Sequence, residues 1–126
     1  MPRYRYNQQV YPPAPFVYVA LLRPTGDQSI PGVPAQLDTA ADRTVIPLRF
    51  VEELRLIPLD EMTVIGFGGN TVKVRTFSVG LSLRGGEAVT LEVFGTGNEP
   101  HILLGRDTLN RYRILFDGPQ LILEID

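Results

Sequence analysis

At 126 residues the chain has the size of one ordinary domain and can bury a core without covalent staples. Lys+Arg 12 against Asp+Glu 14 leaves a formal net charge of -2 with no basic block, which removes the electrostatic footprint of a nucleic-acid binder. The lack of cysteine excludes disulfides, thiol nucleophiles and thiolate metal ligands, and the single His101 cannot build a multi-histidine zinc site, so a structural metal is not expected.

Residues 1 to 15 are rich in Pro, Tyr and Gln and show no steady period. They predict an extended N-terminal arm, ordered only where something covers it, ahead of a domain at 16–126. Ala14 to Leu22 is apolar and follows Arg3 and Arg5, as in a short signal peptide. Against that, Pro12, Pro13 and Pro15 stand at its head, Arg23-Pro24 closes it and no small-x-small cleavage pattern follows. The run is also too short to cross a bilayer. It reads as a strand over Phe16 to Leu22, in a chain without a membrane span that is expected in the cytoplasm.

Thr25-Gly26-Asp27 is turn-like, and Pro31 to Leu37 leads into Gln36-Leu37-Asp38-Thr39-Ala40-Ala41-Asp42. An acid and a hydroxyl after an apolar, strand-like approach form a candidate catalytic loop, although Asp-Thr after a strand is also ordinary turn chemistry. Thr44-Val45-Ile46 reads as a short strand. Leu48 to Leu56 carries apolar residues at helical spacing, and Glu52 and Glu53 early with Arg55 late would suit a helix dipole ended before Pro58.

Met62 to Ile65, Gly66-Phe67-Gly68-Gly69-Asn70 and Thr71 to Phe77 form a strand, a glycine-rich turn and a strand. A phosphate-cradling loop would need a third glycine in register and a following helix, and both are missing. Val79 to Leu83 and Ala88 to Phe94 are strand-like and joined through Arg84-Gly85-Gly86-Glu87, a hairpin turn. Pro100 to Gly105 is an apolar run ending in glycine, and Arg106 to Tyr112 a short helix capped by Asp107. Arg113 to Phe116, Asp117-Gly118-Pro119 and Gln120 to Ile125 make a terminal hairpin. Many short strands with two brief helices predict an all-β, barrel-like domain.

Three separated stretches together resemble the retropepsin-like (retroviral-type) aspartic proteases. They are Leu37-Asp38-Thr39-Ala40-Ala41-Asp42, the glycine-rich Ile65-Gly66-Phe67-Gly68-Gly69, and Leu103-Leu104-Gly105-Arg106-Asp107. Their order and spacing match across residues 16 to 125. The resemblance implies an acid-protease-type single-lobe closed β-barrel with a flap hairpin and one or two short helices. It implies that Asp38 is catalytic, that Thr39 bonds across a dimer, that the N–H near Ala40 donates to the Asp38 carboxylate, and that Arg106 pairs with Asp42 beneath the site. Ala40 stands where the family often has glycine.

By the same resemblance Val45, Ile65, Phe67, His101 and Leu103 wall the substrate cleft, Gln36 and Arg43 stand at its rim, and Gly66, Gly68 and Gly69 form the flap tip. One chain supplies one Asp-Thr-Ala, so the implied enzyme is a homodimer with its site on the two-fold axis. Two Asp38 carboxylates about 3 Å apart repel by roughly 5 kcal/mol at an effective dielectric near 20, so the pair would hold one proton. The substrate would be an extended peptide or protein segment, and no cofactor is required. The arm and the Gln120 to Ile125 strand are the candidate interface strands. A non-catalytic peptide-binding dimer remains the alternative. A glycosidase using Asp38 with Asp42 or Asp107 has little support, since the flanking residues are apolar.

Overall fold

The computed structural model describes residues 2–65, 67–83 and 86–126. In chain order the elements are β1 (Arg3–Arg5), β2 (Phe16–Leu22), β3 (Ser29–Leu37), β4 (Val45–Pro47), α1 (Leu48–Leu54) and β5 (Pro58–Ile65). A 3-10 turn at Phe67–Gly69 follows, then β6 (Thr71–Leu83), β7 (Val89–Thr96), β8 (Ile102–Leu104), α2 (Arg106–Leu109), β9 (Ile114–Asp117) and β10 (Ile122–Ile125). No helix among the described residues is long and apolar enough to cross a membrane.

Burial alternates along β2 and β3. Val17, Val19 and Leu21 face inward from β2, and Val33, Ala35 and Leu37 from β3, all nearly solvent-free. Six strands close a ring in the order β2-β3-β8-β4-β7-β6, with β6 returning to β2 through Val19↔Leu83 to Leu22↔Gly80. The pairs β3–β8 and β4–β7 are parallel. Closure leaves these strands no open edge, and the inward residues fill the ring. Ile46, Phe77, Val79, Leu81, Val93, Ile102 and Leu104 belong to the same core, as do Leu54 of α1, Leu109 of α2 and Leu123 and Ile125 of β10. Each such side chain contributes about 1.5–3 kcal/mol by leaving water.

Outside the ring, β5 pairs with β6 alone, from Pro58↔Phe77 to Ile65↔Thr71, and carries the hairpin whose turn is the glycine-rich stretch. A separate sheet has the order β1-β10-β9. The N-terminal strand thus pairs with the C-terminal strand of its own chain, Arg3↔Glu124 to Arg5↔Ile122. An ion pair from Arg3 to Glu124 at 2.8 Å and a bond from the Tyr6 N–H to the Leu121 carbonyl at 2.8 Å reinforce it.

Several local expectations change. Thr71 to Leu83 is one strand rather than two, because its second half is covered on both faces and loses the alternation that marks a half-buried strand. The helix at Leu48–Leu54 is shorter than expected, and Glu52 and Glu53 sit in its second half, so its charges do not complement its dipole. Arg55 ends it in the left-handed region, φ 52°. Of the expected turn at Arg84-Gly85-Gly86-Glu87, Arg84 and Gly85 lie outside the described residues, and the Gly86 N–H donates to the Leu83 carbonyl at 3.0 Å.

Leu21 is fully buried where β2 meets both β3 and β6. Leu21→Ala is expected to lower the unfolding free energy by about 2–5 kcal/mol, read from the midpoint of a urea titration at unchanged slope.

Candidate active site

Asp38 follows β3 directly, and its N–H donates to the Leu104 carbonyl at 3.0 Å, so the β3–β8 pairing fixes where it emerges. Inward and outward residues alternate along β3, which puts the half-buried Gln36 and Asp38 on the outer side of the barrel wall. The chain then turns: the Ala41 N–H donates to the Asp38 carbonyl at 3.2 Å, and the Ala40 N–H donates to Asp38 Oδ1 at 3.1 Å. Thr39, Ala40 and Asp42 are exposed.

Two groups of Arg106 grip this loop from below. Its N–H donates to the Ala41 carbonyl at 2.9 Å, and Nη1 donates to the Thr39 carbonyl at 2.8 Å. The expected ion pair with Asp42 is not made. The Arg106 guanidinium is directed at a main-chain oxygen, and Asp42 faces solvent with no cation among the described residues within ion-pair distance.

The loop's deeper anchor is Thr44, which is fully buried. Its hydroxyl donates to Asp107 Oδ1 at 2.7 Å and accepts from the Gly105 N–H at 3.2 Å, and it lies 3.1 Å from the Thr108 hydroxyl. The Thr44 N–H donates to Asp107 Oδ2 at 3.0 Å, and its carbonyl accepts from the Phe94 N–H at 3.0 Å. Asp107 therefore does not cap its helix, whose N-cap is Gly105 without a side-chain bond; its carboxylate is spent on Thr44. Gly105 is required for closeness rather than for a special dihedral. A Cβ there would stand 2.6 Å from the carbonyl carbon and 2.8 Å from the carbonyl oxygen of Arg43.

Across three neighbouring strands, Gln36 pairs with Leu103 and Leu103 with Val45, while Phe16 pairs with Gln36 from the other side. Gln36, Leu103 and Val45 are each half-buried, and together form a floor that runs up to Asp38. His101 meets the Phe16 ring edge-on at 5.0 Å between centroids. It lines a cavity of about 410 Å³ with Phe16, Tyr18 and Pro34, walled on its far side by arm residues Arg5 to Gln9. Arg43 reaches over the β7 neighbour of Val45: its guanidinium covers the Phe94 ring at 4.9 Å, and Nη1 lies 3.7 Å from Glu92 Oε2 and 3.5 Å from Met62 Sδ. At the hairpin end Ile65 is 77% exposed, and Gly68 and Gly69 take φ of +84° and +81°, a region that disfavours any side chain. Gly66 and the side chain of Phe67 lie outside the described residues.

Thr44 and Asp107 carry the site, yet neither emerges from the sequence as a bonded pair.

Comparison with known proteins shows where the same fold occurs. The retropepsin-like aspartic protease from Rickettsia conorii superimposes with a TM-score of 0.62 at 14% identity, over 99% of this chain and 91% of that one. EIAV protease, solved with an inhibitor, gives 0.53 at 22% identity, over 80% and 89%. The retroviral protease-like domain of Ddi1 from Leishmania major gives 0.51 at 18% identity, over 88% of each chain. No protein-family model matches the chain, and no curated protein matches it by sequence. The fold is retropepsin-like: an all-β, single-lobe closed barrel with two short helices.

Thr44→Val removes the hydroxyl while keeping the shape, leaving Asp107 and the Gly105 N–H short of a partner. A loss of about 1–3 kcal/mol in denaturant unfolding is expected, with Thr44→Ser recovering most of it.

Proposed function

We propose that this chain is one subunit of a homodimeric aspartic endopeptidase in which two Asp38 carboxylates activate a water between them. The observation that carries the reading is the mounting of Asp38: an acid at a strand end, half-open to solvent, on a loop held from below by Arg106 and by the Thr44–Asp107 anchor. A pure binding surface has no need of an acid held so firmly in its floor.

In the dimer one carboxylate is ionised and the other carries the shared proton. The ionised group takes a proton from water, whose oxygen attacks the peptide carbonyl carbon. The protonated group donates to the carbonyl oxygen as charge develops there. Collapse of the tetrahedral intermediate expels the leaving nitrogen, which takes the proton held by the dyad. Thr39, exposed in one chain, reaches across to the second loop. The Ala40 N–H holds the Asp38 carboxylate in place.

An extended peptide would lie over Gln36, Leu103 and Val45, with main-chain bonds supplying affinity and alternate side chains entering pockets. His101 would act on selectivity through the Phe16 cavity, with Arg43 at the outer rim. The β5–β6 hairpin, with Ile65, Gly66, Phe67, Gly68 and Gly69 at its end, would cover the peptide as a flap. A second reading, a non-catalytic peptide-binding dimer, has one observation in its favour: the Ala40-to-Asp38 bond is also what an ordinary Asx turn makes.

Asp38→Asn separates the two. Cleavage of a denatured protein mixture, followed by mass spectrometry of new termini, is expected to fall about a thousandfold or more, while sedimentation still reports a dimer. Equal cleavage by both proteins would remove Asp38 from the chemistry.

A further inference from the structure

We infer that a cavity at the root of the β5–β6 hairpin binds the last residue of a peptide, with the terminal carboxylate on Arg55 and Arg23 and an apolar side chain inside. β7 takes one edge of β6 from Arg75 to Leu81, so β5 and β2 share the other. On that edge β5 ends its pairing at Pro58↔Phe77 and β2 begins at Leu22↔Gly80, which leaves Ser78 and Val79 between them without a strand. A cavity of about 260 Å³ opens there. Ser78 lines it together with Arg23, Pro24 and Thr25 of the turn leaving β2, and with Arg55 to Ile57 and Leu59 of the chain entering β5.

The lining combines apolar surface with unengaged donors. Ile57 is 72% exposed and Leu59 55% exposed, while Leu56 is buried behind them. Thr25 spends its hydroxyl on Asp27 Oδ1 at 2.6 Å, and Arg23 Nε stands 3.7 Å from the same oxygen, too far for a hydrogen bond. The Arg55 guanidinium and the Ser78 hydroxyl have no side-chain partner among the described residues. Arg55 also occupies the left-handed region after α1, φ 52° and ψ 49°, a position that glycine fills without steric cost. What arginine adds there is its side chain. The Gln28 side-chain amide donates to the Glu53 carbonyl at 3.2 Å, so the turn bearing Arg23 is fastened to the helix that delivers Arg55.

Two guanidinium groups beside an apolar cavity suit a carboxylate on an apolar body. The volume is below the roughly 300–1,000 Å³ of sites for drug-sized ligands, so it takes one large side chain better than a long acyl tail. β5 is the last strand of its sheet and has no strand on its outer edge among the described residues, which lets the preceding peptide residues add main-chain bonds. On the endopeptidase reading, on which the source of the ligand rests, every cleavage releases a peptide with a new terminal carboxylate. Bound here, it bridges the β2–β3 turn to Leu59 and Ser78 and restrains the hairpin, so product slows turnover without entering the floor of Gln36, Leu103 and Val45.

The probe is acetyl-Ala-Ala-Leu with a free carboxylate, compared with its C-terminal amide by calorimetry and by backbone amide NMR shifts. The acid is expected to bind about tenfold more tightly than the amide, to shift Thr25, Ile57 and Leu59, and to bind Asp38→Asn equally well. Arg55→Gly is expected to lose about tenfold in affinity while its urea midpoint holds or rises, because glycine suits the left-handed backbone. In cleavage assays the acid is expected to lower kcat at unchanged KM in the wild type and to have no effect on Arg55→Gly. Equal binding of acid and amide, shifts confined to Gln36, Leu103 and Val45, or tighter binding of octanoate at the same residues would each overturn the peptide site. Asp38-dependent cleavage without the Thr25, Ile57 and Leu59 shifts would overturn the site and leave the endopeptidase standing. Those shifts with cleavage indifferent to Asp38→Asn would support the site and overturn the endopeptidase.

Discussion

The site depends on one close passage. Gly105 crosses the main chain of Arg43 with no room for a Cβ, and that crossing lets a buried threonine hydroxyl meet a carboxylate from the far side of the chain. Thr44 and Asp107 are 63 residues apart, so their bonds tie the strand leaving the Asp38 loop to the helix that follows β8. With that tie in place, Arg106 is delivered beneath the loop, where it bonds the Thr39 and Ala41 carbonyls. Loop geometry is thus set by groups that do no chemistry themselves. The carboxylate of Asp107 offsets its own burial because both oxygens are bonded.

Barrel and small sheet divide the work. Ring closure through β2–β6 holds the floor of Gln36, Leu103 and Val45 rigid, since each of these residues sits on a strand paired on both sides. The three-stranded sheet gathers both chain ends and lies outside that ring. Its first strand leads directly into the residues that wall the cavity beside His101. The arm therefore contributes to the shape of the floor's surroundings even though it supplies none of the core strands.

Legibility in the sequence followed burial pattern. Phe16–Leu22 reads as a strand because it is a run of β-formers bounded by proline, and the two glycine-marked motifs fall where the backbone does take positive φ or a close approach. Thr71–Leu83 looked like two strands because Val79 to Ser82 is covered on both sides. β1 was invisible: Arg-Tyr-Arg has no apolar period and becomes a strand through its pairing with β10. Arg106 was expected to pair with Asp42, but its guanidinium donates to the Thr39 carbonyl, a partner that no sequence pattern distinguishes from a nearby acid. The Thr44–Asp107 bond was hidden for a related reason, since distant residues advertise a contact only once the topology between them is known.

The length of β6 has a mechanical consequence. Its residues Arg75 to Leu81 pair with β7, and its last residues pair with β2, but Thr71 to Val74 have β5 as their only partner strand. The projecting ribbon is thus a two-stranded cantilever about 13 Å long, clamped at its root by the barrel wall rather than hung from a loop. Such a beam deflects by gradual twist and bending, with the largest travel at the Gly68-Gly69 tip and almost none at Phe77. Any gate made from it would swing from the wall itself, so its stiffness would be tuned by the cross-strand pairs Thr63↔Lys73 and Val64↔Val72 rather than by a hinge residue.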